Sequence, residues 1–214
     1  MDNSQNMTRL KELSEKTGIE MIVIDEAEKI TKTEAARFLR SLMLSSYIDD
    51  PIQTTIRQKL PKGKTVELQG ISFLVEYNLI EKLVDTLNRK FLYRQCLAFI
   101  SDNNPRDNKK QTISIIHSAD KYNTLRLQQT SGGSYLFSTD SLVGKLQNFE
   151  KKYPFHFIGV GGDWLLIKTN DIPKDWTDFA KEVLKVCPLE DKVNIDKYVE
   201  EIKSANGRVS MWWD

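Results

Sequence analysis

Residues 153–168, YPFHFIGVGGDWLLIK, limit the fold of this chain more than any other stretch. Two apolar runs flank a Gly-Val-Gly-Gly-Asp segment, and a break that short and that rich in glycine predicts a β-hairpin buried in a core. Helical patterns lie on both sides of it. After it, Asp175 starts a helix on which Trp176, Phe179, Ala180, Val183, Leu184 and Cys187 recur at helical spacing, and Pro188 closes it. Before it, Thr139 or Asp140 caps a helix with the stripe Leu142, Val143, Leu146 and Phe149, itself preceded by a strand at 134–137.

The same order, strand–helix–strand–strand–helix, is legible earlier. A strand at 71–75 leads to a helix capped by Asn78, with Leu79, Ile80, Leu83, Val84, Leu87 and Phe91 as its apolar stripe. Strands at 95–100 and 112–117 follow, joined by a polar loop at 101–110, and then a short helix over 120–128 with Tyr122 and Leu125 inward. The two halves share a pattern without sharing residues. A last helix (Asn194 as cap; Ile195, Tyr198, Val199 and Ile202) and a strand at 208–213 complete the order. On that strand Val209, Met211 and Trp213 share one face, and Ser210 and Trp212 the other. Two such units predict an α+β fold: a mixed sheet with helices packed on it.

Ahead of these units, 7–16 predicts a helix stopped by Gly18, and the β-branched run at 19–24 a buried strand. Thr31 and Glu34 have the spacing of a capping box, and Ala35, Phe38, Leu39, Leu42 and Met43 would share one face of the helix it opens. Asp50-Pro51 breaks that helix, and the polar, basic stretch 53–64 predicts a linker. The expected division is an N-terminal helical and strand extension over 1–60 and an α+β domain over 65–214.

Charge narrows the partners. The 214 residues carry 31 basic and 30 acidic side chains, a net charge of +1, so there is no electrostatic reason to expect nucleic acid or an anionic membrane. Only two cysteines occur, Cys96 and Cys187, far apart in sequence, which predicts free thiols in a reducing compartment. The first sixteen residues are polar and lack an apolar signal region, and no apolar run approaches the roughly 20 residues a membrane span needs. The expectation is a cytoplasmic protein of bacterial style.

Several ordered motifs run through the second half: Asp120-Lys-Tyr122-Asn-Thr-Leu125-Arg126, Thr130-Ser-Gly132-Gly-Ser-Tyr135, Tyr153-Pro-Phe155-His-Phe-Ile158-Gly159-Val-Gly161-Gly-Asp163-Trp164, Phe179-Ala180-Lys-Glu182-Val183, Cys187-Pro188, and Met211-Trp212-Trp213-Asp214. In these motifs the chain, from about Gly70 to Asp214, resembles the bacterial family known as domain of unknown function 4253. It departs from the family pattern at Ser131 and Ser134, where asparagines are usual, and after Pro188, where Leu-Glu-Asp-Lys replaces an Asp-rich turn. The resemblance implies a stand-alone cytoplasmic protein and supplies a fold rather than a mechanism.

Motifs that would carry chemistry are incomplete. MIVIDEAEKI at 21–30 imitates the magnesium-holding strand of a P-loop ATPase, but no Gly-rich phosphate loop precedes it, and Gly63-Lys64-Thr65 lies downstream without its first glycine. The glycines of 130–134 lead into a strand, so a turn is favoured over an anion-binding nest. His156 and Asp163 on the two arms of the hairpin would make an acid–base pair if both faced one way, whereas Asp in a turn more often bonds local backbone. Two His and two Cys at scattered positions make no zinc motif, and Cys187 on an apolar stripe suits a buried thiol. No catalytic residue, metal ligand or cofactor is assigned.

The residues expected to meet a ligand or partner are Thr130, Tyr135, His156, Asp163, Trp164, Trp212, Trp213 and Asp214. The expected function is non-catalytic binding to another protein, as an immunity or regulatory factor. The alternative is an enzyme or small-ligand binder with a cleft among the 130–135 turn, the hairpin and the C-terminal Trp-Trp-Asp.

Overall fold

The computed structural model describes residues 3–41, 65–102, 109–132, 137–188 and 194–213. They form seven strands with α-helices packed on them, the α+β class the sequence predicts. The chain divides into two compact units, Met1–Asp120 and Lys121–Asp214.

In the first unit the strands β1 (Ala36–Ser41), β2 (Thr65–Glu76), β3 (Cys96–Asp102) and β4 (Lys110–His117) lie in the order β1-β2-β4-β3, each antiparallel to its neighbour. Helix α1 (Asn3–Thr17) touches β1 and β2, and α2 (Met21–Thr31) touches β2, so the N-terminal segment is part of this unit's core. Helix α3 (Ile80–Phe91) buries Ile80, Val84, Leu87 and Phe91. It is fastened to β3 by Asn88, whose amide accepts from the Ala98 N–H at 2.7 Å and donates to the Ala98 carbonyl at 2.8 Å. Leu79 precedes the helix and is exposed, and a 3-10 turn, Tyr77–Leu79, stands where Asn78 was expected to cap.

Two N-terminal expectations are corrected. Residues 19–24 are not a strand: Met21–Thr31 is a helix, with Val23, Ile24, Ala27 and Thr31 buried. Their spacing is helical, and four adjacent apolar residues hide it, because such a run matches a buried strand equally well. Thr31 caps nothing at an N-terminus; it ends α2, donating to the Ala27 carbonyl at 2.8 Å, and Lys32 then turns left-handed at φ 55°. The helix expected beyond it is strand β1, paired with β2 from Ala36 opposite Ser72 to Ser41 opposite Thr65, with the register shifting between Arg37 and Leu39. Pairing with a long neighbouring strand outweighs the local helical period. The proposed linker at 53–64 lies outside the described residues, as do residues 134–136 of the strand expected at 134–137 and most of the 101–110 loop.

In the second unit β5 (Phe155–Val160), β6 (Trp164–Thr169) and β7 (Arg208–Trp212) form an antiparallel meander in the order β5-β6-β7. Helices α4 (Asn123–Gln128), α5 (Thr139–Lys152), α6 (Trp176–Val186) and α7 (Ile195–Ser204) complete it. Asp175 and Asn194 cap α6 and α7 through their side chains as predicted, while Ser138 caps α5 in place of Thr139 or Asp140. Phe149 of α5 holds the core together, its ring centroid 5.7 Å from both Phe155 of β5 and Phe179 of α6. Val209, Met211 and Trp213 face inward, and Ser210 and Trp212 outward, as alternation requires. Among the described residues no helix is long and apolar enough to cross a membrane.

Candidate functional site

The bend between β5 and β6 is built around one close approach. A Cβ on Gly161 would lie 1.9 Å from the indole Nε1 of Trp164, so the Trp164 ring can rest on the bend only because residue 161 has no side chain. The Gly161 N–H closes the turn by donating to the Trp164 carbonyl at 2.9 Å.

Four successive carbonyls of this bend are each matched to a donor. Val160 accepts from the Gln128 side-chain amide at 3.1 Å, and Gly161 from the Thr130 hydroxyl at 2.6 Å. Gly162 accepts from the Ser131 N–H and Asp163 from the Trp213 N–H, both at 2.9 Å. Gln128 and Thr130 are buried, and a left-handed Gln129 (φ 51°) sets the segment beside the bend. Unpaired backbone carbonyls in so enclosed a place would cost free energy comparable to lost hydrogen bonds. The stretch 128–131 and the C-terminal strand therefore act as clamps on the hairpin tip.

The expected site residues fall into three groups. Thr130, Asp163, Trp164, Trp212 and Trp213 meet at the bend. Trp164 and Trp212 are directly opposite one another across β6 and β7, Trp164 buried and Trp212 44 % exposed. Trp213 is buried, and its indole Nε1 has no hydrogen-bond partner among the described residues. His156 stands apart: it pairs with Lys168 at the far end of the hairpin, and its Nδ1 lies 2.9 Å from Asn170 Oδ1. The strand from 156 to 160 spans about 13 Å at ~3.3 Å per residue, so His156 and Asp163 form no acid–base pair. Tyr135 and Asp214 lie outside the described residues.

Both thiols are buried. The Cys187 S–H donates to the Trp212 carbonyl at 3.3 Å, and burial raises its pKa. Burial, and then the Glu20 carboxylate, push the Cys96 thiol up to about 11. Neither has the lowered pKa of a nucleophile. Asp25 pairs with Lys29 at 2.6 Å and Glu26 with Lys90 at 3.4 Å, so the Asp-Glu pair of 21–30 carries helix-surface ion pairs in place of a metal-holding strand. Among the described residues no three His, Cys, Asp or Glu are grouped to hold a metal.

Sequence reasoning missed a second surface, in the first unit. A 3-10 turn, Leu92–Arg94, follows α3 and leaves Leu92 and Tyr93 each 69 % exposed. Tyr93 is held in place: the Arg94 Nε donates to its hydroxyl at 2.9 Å, and the guanidinium carbon lies 5.0 Å from the ring centroid. Arg94 is in turn anchored by Glu20 at 2.6 Å, at the start of α2. The Glu20–Arg94 and Glu26–Lys90 pairs bracket Ile22, itself 43 % exposed. In sequence, Leu92 and Tyr93 only prolong an apolar stripe, and nothing marks them as turned outward.

The chain matches no curated protein and no solved structure. Residues 112–214 match the model of a family described as Domain of unknown function (DUF4253), a match that takes in the whole second unit, with its clamped hairpin and tryptophan strand.

Proposed function

We propose that this chain is a non-catalytic binding protein of the bacterial cytoplasm, a regulatory or immunity-like factor that docks another protein through the Leu92–Tyr93 turn. Tyr93 carries the reading. It is a large aromatic side chain, mostly exposed yet fixed by Arg94 and Glu20, and an ordered aromatic gives up little entropy on binding. Ile22 and Leu92 add apolar area beside it, and the flanking charges are of both signs. The polar groups of the hairpin bend, which a catalytic reading would need, are occupied in holding the bend. A net charge of +1 favours a protein over nucleic acid as partner, and two buried free thiols suit a reducing compartment.

The test is affinity capture from native lysate with the wild-type chain and a Leu92→Ala, Tyr93→Ala variant side by side. A stoichiometric protein held by the wild type and lost from the variant is the expected result. A partner held equally by both overturns the reading.

The orphaned Nε1 of Trp213 favours one second reading, a small ligand with a hydrogen-bond acceptor seated at the bend. A metabolite released on denaturing the wild-type protein, and absent from Trp213→Phe, would support it.

A further inference from the structure

We infer that His156, Lys168 and Arg208 form a binding site for a phosphate group, free or carried on a small organic molecule, on the outward face of β5, β6 and β7. The site lies at the end of the hairpin far from its bend. It shares no residue with the bend or with the Leu92–Tyr93 turn, and it stands or falls separately from both.

The register sets three basic side chains in one row. His156 is directly opposite Lys168 across β5 and β6, and Lys168 directly opposite Arg208 across β6 and β7. Alternation turns all three away from the core of their unit: Phe155, Phe157, Ile167, Thr169 and Val209 beside them are buried, whereas His156 and Lys168 are half-buried and Arg208 is exposed. The Thr169 N–H donates to the Gly207 carbonyl at 3.1 Å, so 169 and 207 are a hydrogen-bonded pair. Lys168 and Arg208 are then the closer kind of pair, with Cα atoms about 4.5 Å apart. The Asn170 N–H donates to the Pro154 carbonyl at 2.9 Å, which by the same alternation puts the Cα atoms of His156 and Lys168 about 5.5 Å apart.

Like charges directly opposite one another destabilise a sheet. Nothing beside them on this face offsets the pair: Leu166 and Ser210 on one side and Asn170 on the other carry no charge. The Lys168 ammonium makes no ion pair and no hydrogen bond among the described residues. An anion taken up between the strands removes the repulsion.

Phosphate fits the row better than a carboxylate does, because it brings up to two charges and an oxygen for each side chain. Lys168 supplies a point charge. Arg208 supplies five N–H donors, enough to hold an anion beside other partners. His156 is oriented for the third contact. Its Nδ1 lies 2.9 Å from Asn170 Oδ1, which leaves Nε2 to donate to a phosphate oxygen or to accept from a phosphate hydroxyl. A site this open to water binds with Kd on the order of 1 mM.

The test is thermal unfolding of the full chain followed by tryptophan fluorescence, which reports on this unit because all four tryptophans lie in it. Inorganic phosphate and glycerol 3-phosphate, each at about 20 mM, are compared with sodium chloride and sodium acetate at equal ionic strength. Both phosphates should raise the midpoint, by about 3–6 °C at some twenty times that Kd. The larger rise identifies the source, the free ion or a phosphate on an organic carrier. Lys168→Met should bind phosphate about tenfold more weakly and Lys168→Arg should keep the response. In chloride Lys168→Met should melt no lower than wild type, since it removes a like-charge pair, a result that a merely structural lysine would not give. If Lys168→Met does not fold, Arg208→Gln is read in its place. Equal wild-type midpoints in phosphate and chloride, an equal rise in acetate, or an equal phosphate response in the folded variant overturns the inference.

Discussion

The backbone N–H of Trp213 donates to the carbonyl of Asp163 at 2.9 Å, so the penultimate residue of the chain closes the hairpin bend 50 positions earlier. Its neighbour Trp212 points the other way. One is 1 % exposed and the other 44 %, although they are adjacent and chemically identical. Trp213→Ala should therefore destabilise the chain by about 3–5 kcal/mol, the usual cost of emptying a buried aromatic site. Trp212→Ala gives up roughly half as much buried area and should cost correspondingly less. Urea denaturation measures both. Equal losses would mean that Trp213 is not the anchor.

Gly161 and Gly162 offer a sharper contrast, because they are also adjacent and chemically identical. A Cβ at 161 meets the Trp164 ring at 1.9 Å, whereas one at 162 meets nothing within 4 Å. Gly161→Ala must push the indole off the bend, an overpacking cost of about 1–3 kcal/mol. Gly162→Ala should stay within about 0.5 kcal/mol of wild type. Thermal unfolding gives the stabilities. Tryptophan fluorescence should shift for Gly161→Ala alone, since only that variant moves Trp164.

These contrasts show what was legible in the sequence. The hairpin at 155–169, the caps at Asp175 and Asn194, and the alternation of Val209, Met211 and Trp213 are local signals, and local signals survive into the fold. The N-terminal segment failed because its outcome is set at a distance. Phe38 and its neighbours have a helical period, yet the strand that holds them, Ala36–Ser41, pairs with β2, more than twenty residues on. The candidate site was legible as a set of residue types meeting at one bend. The roles of Gln128, Thr130 and Ser131 were not, because a side chain or N–H that clamps a carbonyl some thirty residues away leaves no mark in the spacing. His156 was misplaced for a related reason: its position depends on the register of the arms, which the turn residues alone do not fix.

Thr130 is the member of the clamp that mutation isolates most cleanly. It is fully buried, and its hydroxyl donates to the Gly161 carbonyl at 2.6 Å. Thr130→Val keeps the volume and removes the donor, leaving a buried carbonyl short of a bond at a cost of about 1–3 kcal/mol. Thr130→Ser keeps the bond and loses a methyl group, about 1 kcal/mol. Valine should therefore be the worse replacement in urea unfolding. The reverse order would mean that packing, and not the hydrogen bond, is what Thr130 supplies.

A cluster where α5 meets α6 makes stability depend on pH in a stated direction. Asp178 accepts from Lys152 at 2.5 Å and from the Tyr153 hydroxyl, and Glu182 accepts from Lys185 at 2.9 Å. The bond from Lys152, and then that from Tyr153, hold the Asp178 carboxyl below its ordinary range; Lys185 does the same for Glu182. A carboxylate depressed in the folded state adds stability that is fully present above its unfolded pKa of about 4 and is lost as pH falls through the folded value. Tyr153 runs the other way: burial, and then the bond to Asp178, raise it, so its contribution is whole below pH about 10 and fades as pH rises beyond. Urea midpoints should form a plateau from about pH 5 to 9 with a decline on each side. Asp178→Asn should flatten the acid decline, and Tyr153→Phe the alkaline one. If both variants keep the wild-type profile at both ends, the cluster does not set the pH limits of this fold.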